Sequence, residues 1–190
     1  MKQATDTENK LRRFRKEKGL TLQEVADRCG LTKGYLSKIE RAASYPPFPT
    51  LENLAKALGV ELGRFFSEED LEDSVGPFAG NIEISGGGIG EPIESGEGYA
   101  YNPLFRSYKN KYMSPFQMSI PKGKTAALSH DAEEFVYVLR GKVVLEYEGR
   151  SHALEPGGCF YLDSRLPHVF VNEHDEVAEL LAVNFTYRRF

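Results

Sequence analysis

Three side chains in the C-terminal half are of types that bind metals, and predicted strands would bring them together. His130 precedes the run EFVYVLR, Glu134 begins that run, and His168 begins the run HVFVN. Two imidazoles and one carboxylate can occupy one face of an octahedral ion, as in mononuclear non-haem iron sites. The expected ion is Fe(II), Mn(II), Ni(II) or Zn(II). The alternative is a metal-free polar pocket in which the three residues bind each other, water or an effector.

Aromatic and amide side chains on neighbouring runs are candidates to line the same pocket. Tyr99 and Tyr101 alternate on one face of the run YAYNPLF and are the best of the set. Core packing is the usual role of an aromatic residue on a strand, and it is the alternative for each of them. The predicted effector-binding residues are Tyr99, Tyr101, Phe116, Tyr137 and Asn184.

The N-terminal part contains a pattern typical of DNA recognition. Residues 20–40 predict two short helices joined by a turn, with Thr21 and Glu24 spaced as a capping box and Gly30 suited to end the first helix. The second helix begins after Thr32 and buries its apolar residues. Its outward face is then small, polar and cationic, which fits the major groove. The residues on that face are Lys33, Gly34, Ser37 and Lys38.

Charge separates two parts of the chain. Residues 1–66 contain 13 Lys and Arg against 8 Asp and Glu, whereas residues 67–190 contain 11 against 20. The excess of positive charge adjoins the helix-turn-helix pattern, so phosphate contact is favoured over a merely solvated helix face. This interpretation covers the basic run of the first helix: Arg12, Arg13, Arg15, Lys16 and Lys18.

Runs rich in β-branched and aromatic residues follow one another from Tyr99 onward, and turn signals separate them at roughly 8–12-residue spacing. This texture predicts a closed antiparallel barrel or jelly roll. The predicted fold is therefore an α plus all-β two-domain chain, with an N-terminal five-helix bundle and a C-terminal β-barrel. The predicted boundaries are 8–66 for the helical domain, 67–98 for an acidic then glycine-rich linker with edge strands, and 99–190 for the barrel.

The runs LRRFRKEKGLTLQEVADRCG, LTKGYLSKIERA and PTLENLAKALGV resemble the repressor-type helix-turn-helix often called the xenobiotic-response-element family. The resemblance implies that Gln23 contacts a phosphate, that Thr32 joins the groove-facing residues, and that Tyr35 lies beside them. Lys38 and Arg41 would add salt-dependent affinity for phosphates.

The runs GKTAALSHDAEEFVYVLRG and GGCFYLDSRLPHVFVN resemble the two cupin motifs. The resemblance implies a small barrel with His130, Glu134 and His168 as metal ligands. Leu128 stands where many cupins carry a further histidine, so a face of three ligands remains.

The two resemblances together imply a bacterial transcriptional regulator, similar to a group that includes putrescine-utilisation repressors. Such a protein would bind a palindromic operator in double-stranded DNA as a homodimer or a dimer of dimers, and a small effector in the barrel would control it. Two cysteines in separate parts and the lack of an apolar leader predict a cytoplasmic protein that does not enter membranes.

An enzyme is the alternative. YAYN, SHDAEEFVYVLRG, LPHVFVN and LLAVNF also resemble the hydroxypropylphosphonate (fosfomycin) epoxidase, a non-haem iron oxidase with a similar domain order. In that case the three ligands would hold Fe(II), and Tyr99, Tyr101 and Asn184 would contact substrate. A phosphonate requires fixed cations, but Gly19 and Ile93 occupy the positions where that family supplies them. The regulator is therefore the favoured interpretation.

Overall fold

The computed structural model describes residues 3–41, 45–60, 62–65, 82, 84, 91–105 and 112–186 of the 190. The chain divides into two compact units, an N-terminal helical unit and a C-terminal strand unit. Most of the predicted linker at 67–98 lies outside the described residues. Among the helices that are described, none is long and apolar enough to cross a membrane.

The helical unit confirms the predicted bundle with one difference of detail. Its elements are α1 (Gln3–Glu17), α2 (Leu22–Cys29), α3 (Lys33–Ile39), α4 (Phe48–Leu58) and a 3₁₀ helix (Leu62–Phe65). The predicted fifth helix is thus a single 3₁₀ turn. α4 begins at Phe48, because Pro47 and Pro49 suit the cap and first turn of a helix.

Apolar side chains at helical spacing meet in one core inside the helical unit. Phe14 of α1 is fully buried and packs edge-on against Phe65, with ring centroids 5.2 Å apart. Each of the next three helices adds buried side chains to this core, for example Val25 of α2, Leu36 of α3 and Leu54 of α4. Burial of these side chains against each other holds the short helices, which would be marginal alone.

The described residues of the strand unit form ten strands in two antiparallel sheets, as the predicted jelly roll requires. The larger sheet has the order β1-β2-β3-β10-β5-β8, and the smaller has the order β4-β9-β6-β7. The strands are β1 (Ile93–Glu94), β2 (Ala100–Pro103), β3 (Met113–Ile120), β4 (Gly123–Lys124), β5 (Glu133–Arg140), β6 (Val143–Tyr147), β7 (Arg150–Leu154), β8 (Cys159–Asp163), β9 (His168–Asn172) and β10 (Ala178–Phe185).

Burial alternates along the central strands, so each presents one face to the interior. On β10, Ala178, Leu180, Ala182 and Asn184 are buried, and the residues between them are partly exposed. Asn184 lies opposite Glu134 of β5 on one side and opposite Ser114 of β3 on the other. The register therefore brings polar residues from three adjacent strands to one inner position of the larger sheet.

Candidate functional site

Paired caps fix the turn between α2 and α3. The Thr21 backbone N–H donates to Glu24 Oε2 at 2.7 Å, and the Glu24 backbone N–H donates to Thr21 Oγ1 at 3.2 Å, which confirms the capping box. At the other end of α2, Gly30 has φ of 67°, a conformation that glycine adopts without strain. Thr32 Oγ1 then accepts from the Tyr35 backbone N–H at 3.1 Å and begins α3.

The exposed face of α3 carries the residues that the pattern predicted. Leu36 and Ile39 point into the core, Lys33, Gly34 and Lys38 are exposed, and Tyr35 and Ser37 are half-buried. A Cβ built on Gly34 meets no atom within 4 Å, so the backbone of α3 is open to a partner at that point. This helix therefore presents two cations and an open stretch of backbone on its exposed surface.

Gln23 and Arg41, which the sequence predicts to contact phosphates, have hydrogen bonds of their own. Gln23 Nε2 donates to Asp27 Oδ1 at 2.7 Å along exposed α2. Arg41 Nε donates to the Ser37 carbonyl at 3.0 Å, which orients the guanidinium at the C-terminal end of α3. Each side chain keeps further N–H groups that can donate to a phosphate, the second N–H of Gln23 Nε2 and the remaining N–H groups of the Arg41 guanidinium.

Arg15 corrects the interpretation of the basic run on α1. Its Nε and Nη2 donate to the two carboxylate oxygens of Glu40, at 2.6 and 2.8 Å, and its Nη1 donates to the Leu20 carbonyl at 3.0 Å. The Glu40 bonds raise the pKa of Arg15. Arg15 therefore joins α1 to the end of α3 and is unavailable to a phosphate. Arg12, Lys16 and Lys18 remain exposed.

The three predicted metal-binding residues do meet inside the strand unit. His130 Nε2 lies 3.2 Å from Glu134 Oε2, and His168 Nε2 lies 3.4 Å from the same oxygen. One ligand atom from each of the three residues can be chosen so that all lie within 4.8 Å of one another. Glu134 and His168 are buried, and the His130 side chain is 9% exposed. The cluster spans both sheets, because Glu134 lies on β5 and His168 on β9.

The backbone decides which nitrogen of His168 faces the cluster. Its Nδ1 lies 3.1 Å from the Leu166 carbonyl, and a carbonyl can only accept, so Nδ1 carries the hydrogen. In the neutral ring Nε2 then holds a lone pair directed towards Glu134. Within the described part of the chain, this Nε2 has no hydrogen-bond partner. Two electron-rich atoms thus face each other, an arrangement that a cation between them stabilises.

Electrostatics keep the carboxylate of this cluster ionised. Burial acts to raise the pKa of Glu134, but the adjacent imidazoles of His130 and His168, which favour the ionised carboxylate, outweigh burial and lower that pKa to about 2. Ser164 Oγ also donates to Glu134 Oε2 at 3.1 Å. Sequence reasoning missed Ser164, because a serine in the loop DSRLP is indistinguishable from a solvated turn residue until its complete burial is seen.

These distances suit a divalent ion. Ligand atoms at about 2.1 Å from an ion and at right angles to each other lie about 3 Å apart. The separations of 3.2 and 3.4 Å around Glu134 Oε2 are close to that value. The two imidazoles, the ionised carboxylate and the unpartnered His168 nitrogen are therefore a donor set that fits a divalent ion.

The predicted effector residues fall into two groups. Tyr99, Tyr101 and Phe116 are buried, and the two tyrosine rings lie 6.1 Å apart between centroids. Tyr101 pairs with Met118 of β3, on the same alternation as Phe116. Tyr137 differs from these, because it lies an odd number of residues from Glu134 on β5 and its side chain is 38% exposed. The structure places it on the outer face, away from the cluster.

The fold and these two sites define a helix-turn-helix protein with a barrel of cupin type. A helix-turn-helix family model matches residues 11–65, and a cupin domain model matches residues 116–184. The chain belongs to the DNA-binding transcriptional regulators that join a helix-turn-helix domain to a C-terminal cupin domain.

Relatives extend along nearly the whole chain. The HTH-type transcriptional regulator PuuR of Escherichia coli is 25% identical over 178 residues, which is 92% of each chain. A helix-turn-helix family transcriptional regulator from Vibrio cholerae shares the fold with a TM-score of 0.60 at 21% identity, covering 97% of each chain. Hydroxypropylphosphonic acid epoxidase from S. wedmorenis covers 96% of this chain and 98% of its own at 20% identity, with a TM-score of 0.47. That last likeness is too loose to support the enzyme alternative.

Proposed function

We propose that this regulator binds a palindromic operator as a homodimer or a dimer of dimers and places one copy of α3 in the major groove of each half-site. The observation that carries this proposal is the outward surface of α3, where exposed cations flank an open glycine on a helix fixed by caps at its N-terminus. Thr32, Lys33, Gly34, Ser37 and Lys38 would meet the groove, with Tyr35 beside them.

Backbone contacts would set the position of the helix on DNA. Gln23 at the start of α2 and Arg41 after α3 would contact phosphates. Such contacts carry no sequence information but fix register, and each phosphate neutralised makes affinity fall more steeply with salt. Base selection would come from Lys33, Gly34 and Ser37 of α3.

The strand unit would act as the sensor. His130, Glu134 and His168 would hold a divalent ion (Fe, Mn, Ni or Zn), which supplies a charged anchor for a small polar effector. Tyr99, Tyr101 and Phe116 would form the apolar wall against which the effector packs. Control of DNA affinity requires the effector to bind the two states of the protein differently, typically by about 1–3 kcal/mol.

The test is selection from fragmented DNA of the source genome at about 150 mM salt, a concentration at which much nonspecific binding to phosphates is lost. Wild-type protein is expected to retain fragments that share one short palindrome. The variant Lys33→Ala/Ser37→Ala/Lys38→Ala is expected to lose this enrichment, with an unchanged circular dichroism spectrum. Lys56→Ala removes an exposed cation from α4 and serves as the matched control, with wild-type enrichment expected.

Two results would contradict the proposal. The first is unchanged enrichment by the triple variant, which would mean that α3 does not read the operator. The second is retention of fragments without any shared sequence by the wild type. In that case the next experiment would be a trial of substrate oxidation, with Fe(II) loaded anaerobically and O₂ then admitted as the oxidant.

A further inference from the structure

Asn184 is a buried side chain whose polar atoms are unsatisfied. Its side chain is 1% exposed, and neither Oδ1 nor Nδ2 has a hydrogen-bond partner in the part of the chain that the structure describes. An unpaired polar atom in the interior costs about 1–3 kcal/mol, so an amide with both ends unpaired points to a missing partner. Such a residue persists when a ligand completes its bonds.

The position of Asn184 identifies what that partner is. Glu134 has two cross-strand neighbours in the larger sheet, Leu162 on β8 and Asn184 on β10. Residues directly opposite in an antiparallel pair have Cβ atoms about 4.5–5.5 Å apart and project to the same face. Asn184 is the polar one of the two neighbours, and both it and Glu134 are buried on the inner face.

The amide also has the chemistry that the cluster lacks. His130, Glu134 and His168 offer three ligand atoms, and Leu128, the bridge partner of His168, has a side chain that cannot ligate. An amide oxygen is a neutral ligand for divalent ions, as asparagine shows in many oxygen-rich sites. The oxygen and nitrogen ends of an amide exchange by a half-turn about its side-chain bond, so Asn184 can present oxygen to the ion.

We propose that Asn184 supplies, through its Oδ1, the fourth protein ligand to the divalent ion bound by His130, Glu134 and His168. This inference rests on the metal site of the proposed function. The Nδ2 group then faces the remaining positions around the ion, where it donates to water or to an effector oxygen. Asn184 would thus belong to the metal site through Oδ1, and its predicted contact with the effector would be made through Nδ2.

The test is a titration of the metal-free full-length protein with Co(II), followed by the visible d–d bands, which report both occupancy and coordination number. Asn184→Ala is expected to bind Co(II) at least about tenfold more weakly and to change the band pattern, because the ion loses an oxygen ligand. Asn184→Asp retains an oxygen at the same place and is expected to bind at least as tightly as wild type.

Ser114→Ala is the matched control, because Ser114 is the other buried cross-strand neighbour of Asn184 and does not adjoin Glu134. It is expected to keep wild-type affinity. The melting temperature of metal-free Asn184→Ala should not fall, since the substitution removes an unpaired amide. If metal-free Asn184→Ala melts at the wild-type temperature, its weaker Co(II) binding does not come from misfolding.

Two outcomes would overturn the assignment while leaving the proposed metal site intact. One is an Asn184→Ala affinity within about twofold of wild type. The other is a loss in Asn184→Asp as large as that in Asn184→Ala, which would show that the amide donates a hydrogen bond to Glu134 and does not ligate. A wild type that binds no Co(II) would refute the metal site itself, and this inference with it.

Discussion

The residues proposed to contact a partner are exposed in the helical unit, whereas those in the strand unit are buried and several of their polar atoms are unpaired. On α3, Lys33 and Lys38 reach solvent, and the caps of the helix are satisfied within the protein. In the barrel, His168 Nε2 and both polar atoms of Asn184 have no hydrogen-bond partner among the described residues. The α3 surface thus has its caps satisfied without a partner, whereas the barrel cluster leaves buried polar atoms that a ligand could satisfy.

This difference predicts how each unit responds to substitution. Replacing an exposed residue of α3 should alter binding and leave the free energy of unfolding nearly unchanged. Replacing a residue of the buried cluster should alter ligand binding and the stability of the barrel together, because ligand binding stabilises the folded state. Each experiment below tests one part of that contrast.

The largest effect on stability is expected at the ion pair of the helical unit, because this pair is buried, unlike the exposed residues of α3. Arg15→Ala leaves Glu40 without its partner at a position where the two side chains are 12% and 6% exposed. Removing one member of a buried pair typically costs about 3–5 kcal/mol, and most of that cost should fall on the helical unit. Hydrogen exchange of the full chain is expected to show loss of protection in α1 and α3, together with loss of operator binding.

Arg12→Ala is the control for this variant, since Arg12 is an exposed cation one turn away on the same helix. It should leave hydrogen exchange unchanged. If Arg15→Ala kept full protection in α3, the ion pair would have no structural role, and the phosphate-contacting interpretation of Arg15 would be restored.

The metal site should give the next largest effect. His130→Ala/His168→Ala removes two of the three clustered ligands, and binding of a divalent ion should weaken more than about 100-fold, beyond the range seen for supporting groups. Metal content of untagged protein after anaerobic Fe(II) loading measures this. His152→Ala/His174→Ala removes two exposed histidines outside the cluster and should retain the wild-type content. Equal metal content in the two double variants would place the ion elsewhere.

The smallest structural effect is expected at Gly34. Leucine there projects into open space and improves helix propensity by up to about 1 kcal/mol, so the melting temperature should hold or rise. The same side chain would occupy the surface proposed to face DNA, and operator affinity should fall more than about tenfold, or 1.4 kcal/mol. Gly34→Ala should show a smaller loss. Fluorescence anisotropy with the selected operator is the measurement, and full affinity in the leucine variant would exclude Gly34 from the interface.

The sequence was sufficient for the helix-turn-helix because its determinants are local. The capping box of Thr21 and Glu24, the glycine that ends α2 and the apolar positions of α3 all lie within about twenty residues. The fifth helix was less predictable, since a single turn such as Leu62–Phe65 has too few residues for a periodic pattern.

The barrel site depended on pairing between distant strands, which composition does not specify. The cupin motifs were enough to group His130, Glu134 and His168, but the placement of Asn184 beside Glu134 follows from the register of β10 on β5, fifty residues apart. Tyr137 was predicted to line the pocket because it is aromatic, but its position in the alternation of β5 places its side chain on the outer face. Arg15 was misinterpreted because its partner Glu40 lies 25 residues away, and the sequence pattern does not show that the two side chains meet.

The open position at Gly34 has a consequence for the history of such regulators. Because the groove-facing residues of α3 make little contribution to the core, they can change over generations without a compensating change elsewhere in the fold. Leu36 and Ile39, which alternate with them on the same short helix, are held by packing. Duplicated copies of this gene could therefore acquire new target sites by a few surface substitutions while the buried residues stayed as they are.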